Sequence, residues 1–153
     1  MNRLRGSLDR ERAGAVAKLL AAHDIAAGQA FWSGYHDTAR KLGLMIRTNG
    51  LPLAFAIAMG WAKIKDDGFA DPDAADDTTG RSRALVDLAT LLWDKVPGTP
   101  AELRGKVVSL AELGRQDYGA VIDKTLGTLL WQKALSAPLV PEEKEKTAME
   151  PDA

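Results

Sequence analysis

The sequence predicts an all-α fold, a single compact bundle of about six helices around a buried central helix. Three observations lead there. Ala and Leu are abundant while β-branched runs are scarce, which favours helix over strand along the whole chain. Apolar residues recur at spacings of three and four between short breaks containing Gly or Pro, and no βαβ alternation appears. From Leu51 to Ala62 nearly every residue is apolar or small, with no clear polar face, a pattern that belongs in a core. That run is about a dozen residues, short of the roughly 20 that span a bilayer, so no membrane partner is expected.

Bulk properties narrow the function. The 153 residues suit one domain, with 46% hydrophobic and 27% charged residues, the ordinary mix of a globular protein. There is no cysteine, which excludes disulfides and Cys-ligated zinc and fits a reducing, cytoplasmic compartment. The basic stretch Met1 to Gly6 is not followed by an apolar signal-peptide core. A net charge of −1 argues against a strongly basic, free-standing nucleic-acid binder but leaves room for one basic face.

The elements follow in chain order. Ser7 or Asp9 can cap a first helix running to about Ala22, with Ala13, Val16, Ala17 and Leu20 as its apolar stripe and Arg10, Arg12 and Lys18 towards solvent. After a break at His23-Asp24, a second helix spans about Ile25 to Leu42, lined by Phe31, Tyr35, Ala39 and Leu42, and Gly43 is its expected stop. Thr48 and Asn49 are expected caps of the central helix, with Pro52 in its first turn. The stretch 66–80 is acidic, contains Pro and Gly and lacks periodicity, so it reads as a loop. Asp71, Asp73 and Asp76 suggest a calcium loop, but Asp76 and Ser82 stand where that template needs Gly and Glu.

A fourth helix is expected from about Ser82 to Lys95, carrying Leu85, Leu88, Leu92 and Val96, and ended by Pro97-Gly98. Thr99-Pro100-Ala101-Glu102 matches a capping box with Pro at the first helical position, the cleanest local signal in the chain. The fifth helix continues through Leu103, Val107, Leu110 and Leu113 to Gly114. A sixth, about Gln116 to Leu135, carries Tyr118, Val121, Ile122, Leu126, Leu129 and Leu130, with Asp117 and Lys133 suited to the two ends of its dipole. Residues 1–136 therefore form the domain, and 137–153, with Pro138, Pro141 and the run Glu142 to Lys146, read as a disordered tail.

No catalytic or metal-binding set emerges, and no cofactor is expected. His23 and His36 each precede Asp, as in HD-type metal-dependent phosphohydrolases, but such a site needs further His and Asp ligands and there is no third histidine. No Glu-x-x-His pair, Gly-x-Ser-x-Gly elbow or Walker loop occurs. The chain is therefore expected not to be an enzyme, with the small phosphohydrolase as the alternative. Trp32, Trp61, Trp93 and Trp131 fall in different helices and read mainly as packing. Trp131 is the best placed of them to stack a base, a contact worth about 1–3 kcal/mol, and Trp61 reads as core.

Arg40, Lys41, Arg47, Lys63 and Lys65 flank the central run, at the ends of the second and third helices. Lys and Arg in such places can neutralise phosphates without reading sequence. The segment Arg40 to Phe55, containing Ile46, Asn49-Gly50-Leu51, Leu53 and Phe55 and followed by Lys63, resembles the signature of the small subunit of type III-B (Cmr) CRISPR effector complexes. Tyr118, Thr125, Trp131 and Lys133 match that family's second, C-terminal block. Gly43 stands where the family often has Pro.

The resemblance implies a non-catalytic, RNA-binding subunit acting in the cytoplasm in antiviral defence. Its partners would be the backbone and large subunits of the effector, other copies of itself, and guide and target RNA. It also implies nucleic-acid contacts by Arg47 and Lys63 first, then Arg40, Lys41 and Lys133. The equivalent small subunit of a type III-A complex is the nearest variant.

Overall fold

A computed structural model describes residues 2–64, 69 and 74–141, with side chains from residue 9 onward. Among the described residues the chain is all-helical: α1 (Asn2–Ala22), α2 (Ala30–Asn49), α3 (Leu51–Trp61), α4 (Asp77–Trp93), α5 (Pro100–Leu110) and α6 (Arg115–Ser136), then a 3₁₀ turn at Ala137–Leu139. The expected fold class is the one observed. No described helix is long and apolar enough to cross a membrane. Lys65, the would-be calcium ligands Asp71 and Asp73, and the charged run Glu142 to Lys146 lie outside the described residues.

The helix at the centre is α2, which corrects the expectation for Leu51 to Ala62. α2 packs most extensively along α4 and also lies against α6 and α3. Its N-terminal half is buried all round, from Phe31 through Tyr35. α3 lies on the flank with two faces. Leu51, Ala54, Phe55, Ala58 and Met59 are buried, whereas Leu53 is 53% and Ile57 36% exposed. An all-apolar composition does not reveal which side of a helix has neighbours, and among the described residues α3 has them on one side only.

Gly43 does not stop α2, which continues to Asn49. Leu42 and Ile46 are both buried four residues apart, and their packing outweighs the roughly 1 kcal/mol that a mid-helix glycine costs. The break comes at Gly50, whose φ of 83° suits glycine. Thr48 therefore caps nothing and bonds back to the Leu44 carbonyl at 3.2 Å. The α3 amide of Leu51 instead donates to the Tyr118 hydroxyl of α6 at 3.0 Å.

Other boundaries shift for local reasons. The Trp32 indole N–H donates to the carbonyls of Ile25 (3.2 Å) and Ala26 (3.1 Å), so that stretch wraps Trp32 and α2 starts at Ala30. α4 starts at Asp77, five residues earlier than expected, because the Asp76 carboxylate caps it by accepting from the Thr79 amide at 2.7 Å. That bond, with one from the Thr79 side chain, holds Asp76 below the usual carboxylate range. Thr99 caps α5 as expected, its Oγ1 accepting from the Glu102 amide at 3.2 Å, while the Glu102 carboxylate accepts from the Gly98 amide at 2.9 Å, one residue before the cap. The bundle also continues past residue 136, since Leu139 packs on the second apolar cluster and its carbonyl accepts from Gly28 at 2.8 Å.

α2 and α4 cross with their backbones in contact. A Cβ on Gly34 would run into the Asp77 carbonyl, and one on Gly80 into the Phe31 carbonyl. The apolar residues form two cores. One is built from α2, α3, α4, α5 and α6 around Leu42, Phe55, Leu88, Leu103 and Leu129, and the other joins α1, α2 and α4 around Val16, Trp32 and Tyr35, with Trp131 and Leu135 of α6 packed against it.

Candidate nucleic-acid interface

The five cations singled out in the sequence divide into two places. Arg40 and Arg47 are seven residues apart on α2, two turns, so they share a face and stand about 10 Å apart along the axis. With Lys133 of α6 they line one groove of about 420 Å³ between the two helices. Leu44 and Leu130, both well exposed, also line it. Leu130, one of the apolar residues read along the sixth helix, is exposed here. Arg40 approaches Asp37 at 3.7 Å, an exposed i,i+3 pair worth little. Among the described residues neither Arg47 nor Lys133 forms an ion pair.

α2 and α6 run antiparallel along this groove. At one end His36 Nδ1 bonds to the Lys133 carbonyl (3.1 Å) and to Ser136 Oγ (3.2 Å), and at the other end lies the Leu51–Tyr118 bond. The two blocks of residues that carried the family resemblance therefore touch at Leu51 and Tyr118. Nothing in linear spacing foretold that contact.

Lys41 and Lys63 lie elsewhere, around Trp61. Lys41 Nζ stands over the Trp61 ring, 5.9 Å from its centroid, which fixes α3 antiparallel to α2. Trp61 was expected in the core but is half-buried. Arg81, which sequence reading passed over, donates to the Trp61 carbonyl at 3.4 Å and pairs with Asp77 at 3.3 Å. Trp131, the expected base-stacking residue, is half-buried and packs on the second apolar cluster.

Lys63 is backbone-strained. α3 ends with the Ile64 amide bonded to the Met59 carbonyl at 3.1 Å, the six-to-one bond of a Schellman motif, and Lys63 holds the left-handed position at φ 52°. That position favours glycine. Lys63→Gly is expected to stabilise the fold by about 0.5–1 kcal/mol, the relieved strain less the entropy cost of glycine, when measured by urea unfolding.

The histidines take other roles than paired metal ligands. His23 Nε2 meets Asp87 Oδ2 of α4 at 2.6 Å, not its neighbour Asp24. The same oxygen accepts from the Tyr35 hydroxyl at 2.6 Å, and Gln132 Nε2 donates to Tyr35 at 3.1 Å and to the Ala84 carbonyl at 3.0 Å. Burial, with the Asp87 charge beside it, holds the Tyr35 hydroxyl well above its usual range, so it stays a donor. This network ties α2, α4 and α6 to the turn after α1 and had no sequence signal, since its members are up to 109 residues apart (23 to 132). Among the described residues no three His, Asp or Glu side chains gather where a metal could sit.

His36 adds a pH dependence. Burial lowers its pKa from the ordinary 6.5, and Arg40 and Lys133 push the same way against the bond to the Lys133 carbonyl and the Asp37 charge. The unfolded chain therefore takes up this proton before the folded one does. Stability from this site is full above about pH 6.5 and falls as pH drops towards the folded pKa. Urea midpoints for the wild type should decline from pH 7.5 to 5.5 more than those of His36→Gln.

No protein-family model matches the chain, and no curated protein matches it.

Proposed function

We propose that this chain is the small α-helical subunit of a type III-B CRISPR ribonucleoprotein effector. In this reading it performs no chemical step. It stacks with copies of itself beside the backbone and large subunits and contacts the target RNA through its phosphates, in the cytoplasm, during antiviral defence. The observation that carries the reading is the α2–α6 groove, in which Arg40, Arg47 and Lys133 from distant parts of the chain face a common space. Supporting it, the two sequence blocks of the resemblance meet through the Leu51–Tyr118 bond.

The physics suits such a role. Guide–target base pairing reads the sequence, so a subunit of this kind needs only backbone contacts. A near-neutral chain with one local cation groove binds RNA weakly alone, and several copies in tandem gain from effective concentration. The type III-A small subunit would use the same contacts.

The test is target-RNA binding by the assembled effector carrying Arg47→Glu and Lys133→Glu. Two lost phosphate contacts should lower affinity and reduce the slope of log K against log salt by about 1.4, at roughly 0.7 per contact on a single strand. Lys41→Glu with Lys63→Glu tests the Trp61 cluster separately. Unchanged affinity and slope in the first pair would refute the groove assignment.

A further inference from the structure

We propose that the pocket between the end of α4 and α5 binds a nucleotide through a phosphomonoester, with the base on Trp93 and the phosphate between Lys95 and Lys106. The pocket measures about 500 Å³, within the range of small-molecule sites. It shares no lining residue with the α2–α6 groove. α4 ends at Trp93, and Asp94 turns the chain there by holding the left-handed conformation at φ 52°. Lys95 and Val96 follow at once and line one wall, while Glu102, Gly105 and Lys106 of α5 line the other. Trp93 lines the pocket too, and its ring is tilted against Phe55 of the core with 6.3 Å between centroids. It is half-buried, so the core steadies the indole while part of it stays open to the pocket. With the exposed Val96 beside it, that ring is an apolar seat for a planar base.

The charge of the pocket suits a terminal phosphate. Among the described residues neither Lys95 nor Lys106 forms an ion pair. Glu102 stands four residues before Lys106, the order and spacing at which Glu and Lys pair on a helix. Here the carboxylate is turned back instead, its Oε2 accepting from the Gly98 amide at 2.9 Å, and Lys106 keeps its charge unspent. A phosphomonoester carries close to two negative charges at neutral pH, against one for a phosphodiester inside a strand, so two lysines match the former. The other oxygen of Glu102 can accept from an exocyclic amine, which makes adenosine monophosphate (AMP) a suitable probe. Gly105 leaves the α5 wall as bare backbone, and a Cβ there would meet nothing within 4 Å. A side chain can therefore be added at that point to fill the pocket without disturbing the fold.

Amide NMR titration of the labelled full chain with AMP tests this, alongside a short RNA bearing either a 5′-phosphate or a 5′-hydroxyl. AMP should shift residues 93–96 and 102–106, and adenosine or inorganic phosphate alone should bind there at least about tenfold more weakly. Lys95→Gln and Lys106→Gln should each weaken AMP binding about tenfold, the loss of one charged contact. Gly105→Leu should abolish the AMP shifts while its melting temperature stays level or rises, since leucine favours helix. Shifts from AMP support a free nucleotide as the ligand, and shifts from the 5′-phosphorylated RNA alone support the end of a strand. Equal shifts from the two RNAs would overturn recognition of a phosphomonoester, and inorganic phosphate binding as tightly as AMP would remove the base from the site. If neither AMP nor the phosphorylated RNA moves these amides, or a folded Gly105→Leu binds AMP as the wild type does, the proposal fails.

Discussion

Gly34→Ala is expected to lower the melting temperature by about 6–12 °C, from a loss of about 3 kcal/mol at roughly 2–4 °C per kcal/mol for a chain of this size. The added methyl meets the Asp77 main-chain carbonyl, which belongs to the first turn of α4 and cannot swing aside like a side chain. Relief requires α4 to move off α2, which would open the most extensive helix contact in the molecule. It would also disturb the Phe31 amide bond to the Ala75 carbonyl at 2.8 Å. Gly80→Ala should behave alike, because its methyl meets the Phe31 carbonyl from the other side of the crossing. Gly14→Ala is the contrast. Nothing lies within 4 Å of a Cβ there, so the better helix former should gain about 1 kcal/mol. Thermal unfolding followed by circular dichroism separates the three.

Asp87→Leu is expected to cost about 2–5 kcal/mol in urea unfolding, since each buried partner left without an acceptor costs about 1–3 kcal/mol. Asp87 is 3% exposed, and its Oδ2 serves both the Tyr35 hydroxyl and His23. Leucine of similar size removes that acceptor and leaves two polar groups, from α2 and the turn after α1, without their partner. Tyr35→Phe in the same chain should recover part of the loss, because removing both members of a buried pair is far cheaper than removing one. The recovery is read as a non-additive double-mutant cycle. Additive losses would mean that the network does not act as a unit.

Local chemistry was legible in the sequence where it is decided locally. Thr99, Pro100 and Glu102 announce the start of α5 within four residues, and the α5 bonds follow that pattern. The apolar stripes of α2 and α4 also stood out, and Phe31, Tyr35, Leu42, Leu85 and Leu88 are all buried. What depends on neighbours was not legible. Leu53 read as core because it lies in an all-apolar run, yet it is 53% exposed. Gly43 reads as a stop because its cost is local, while the Ile46 burial that overrides it is tertiary. The Gly34–Gly80 crossing has no sequence signature beyond two glycines among others.

The same division runs through the candidate interface. Charge type identified Arg40, Arg47 and Lys133, but their common groove follows only from α6 lying antiparallel to α2. Lys41 and Lys63 have the same chemistry and belong to the Trp61 cluster instead.

The central claim is that single-stranded RNA lies along the α2–α6 groove. An amide NMR titration of the labelled chain with a short single-stranded RNA tests it most directly. Shifts concentrated at residues 40–47 and 126–133, shrinking as salt is raised, are the predicted result. Shifts confined to α5, or a spectrum unmoved at saturating RNA, would contradict it.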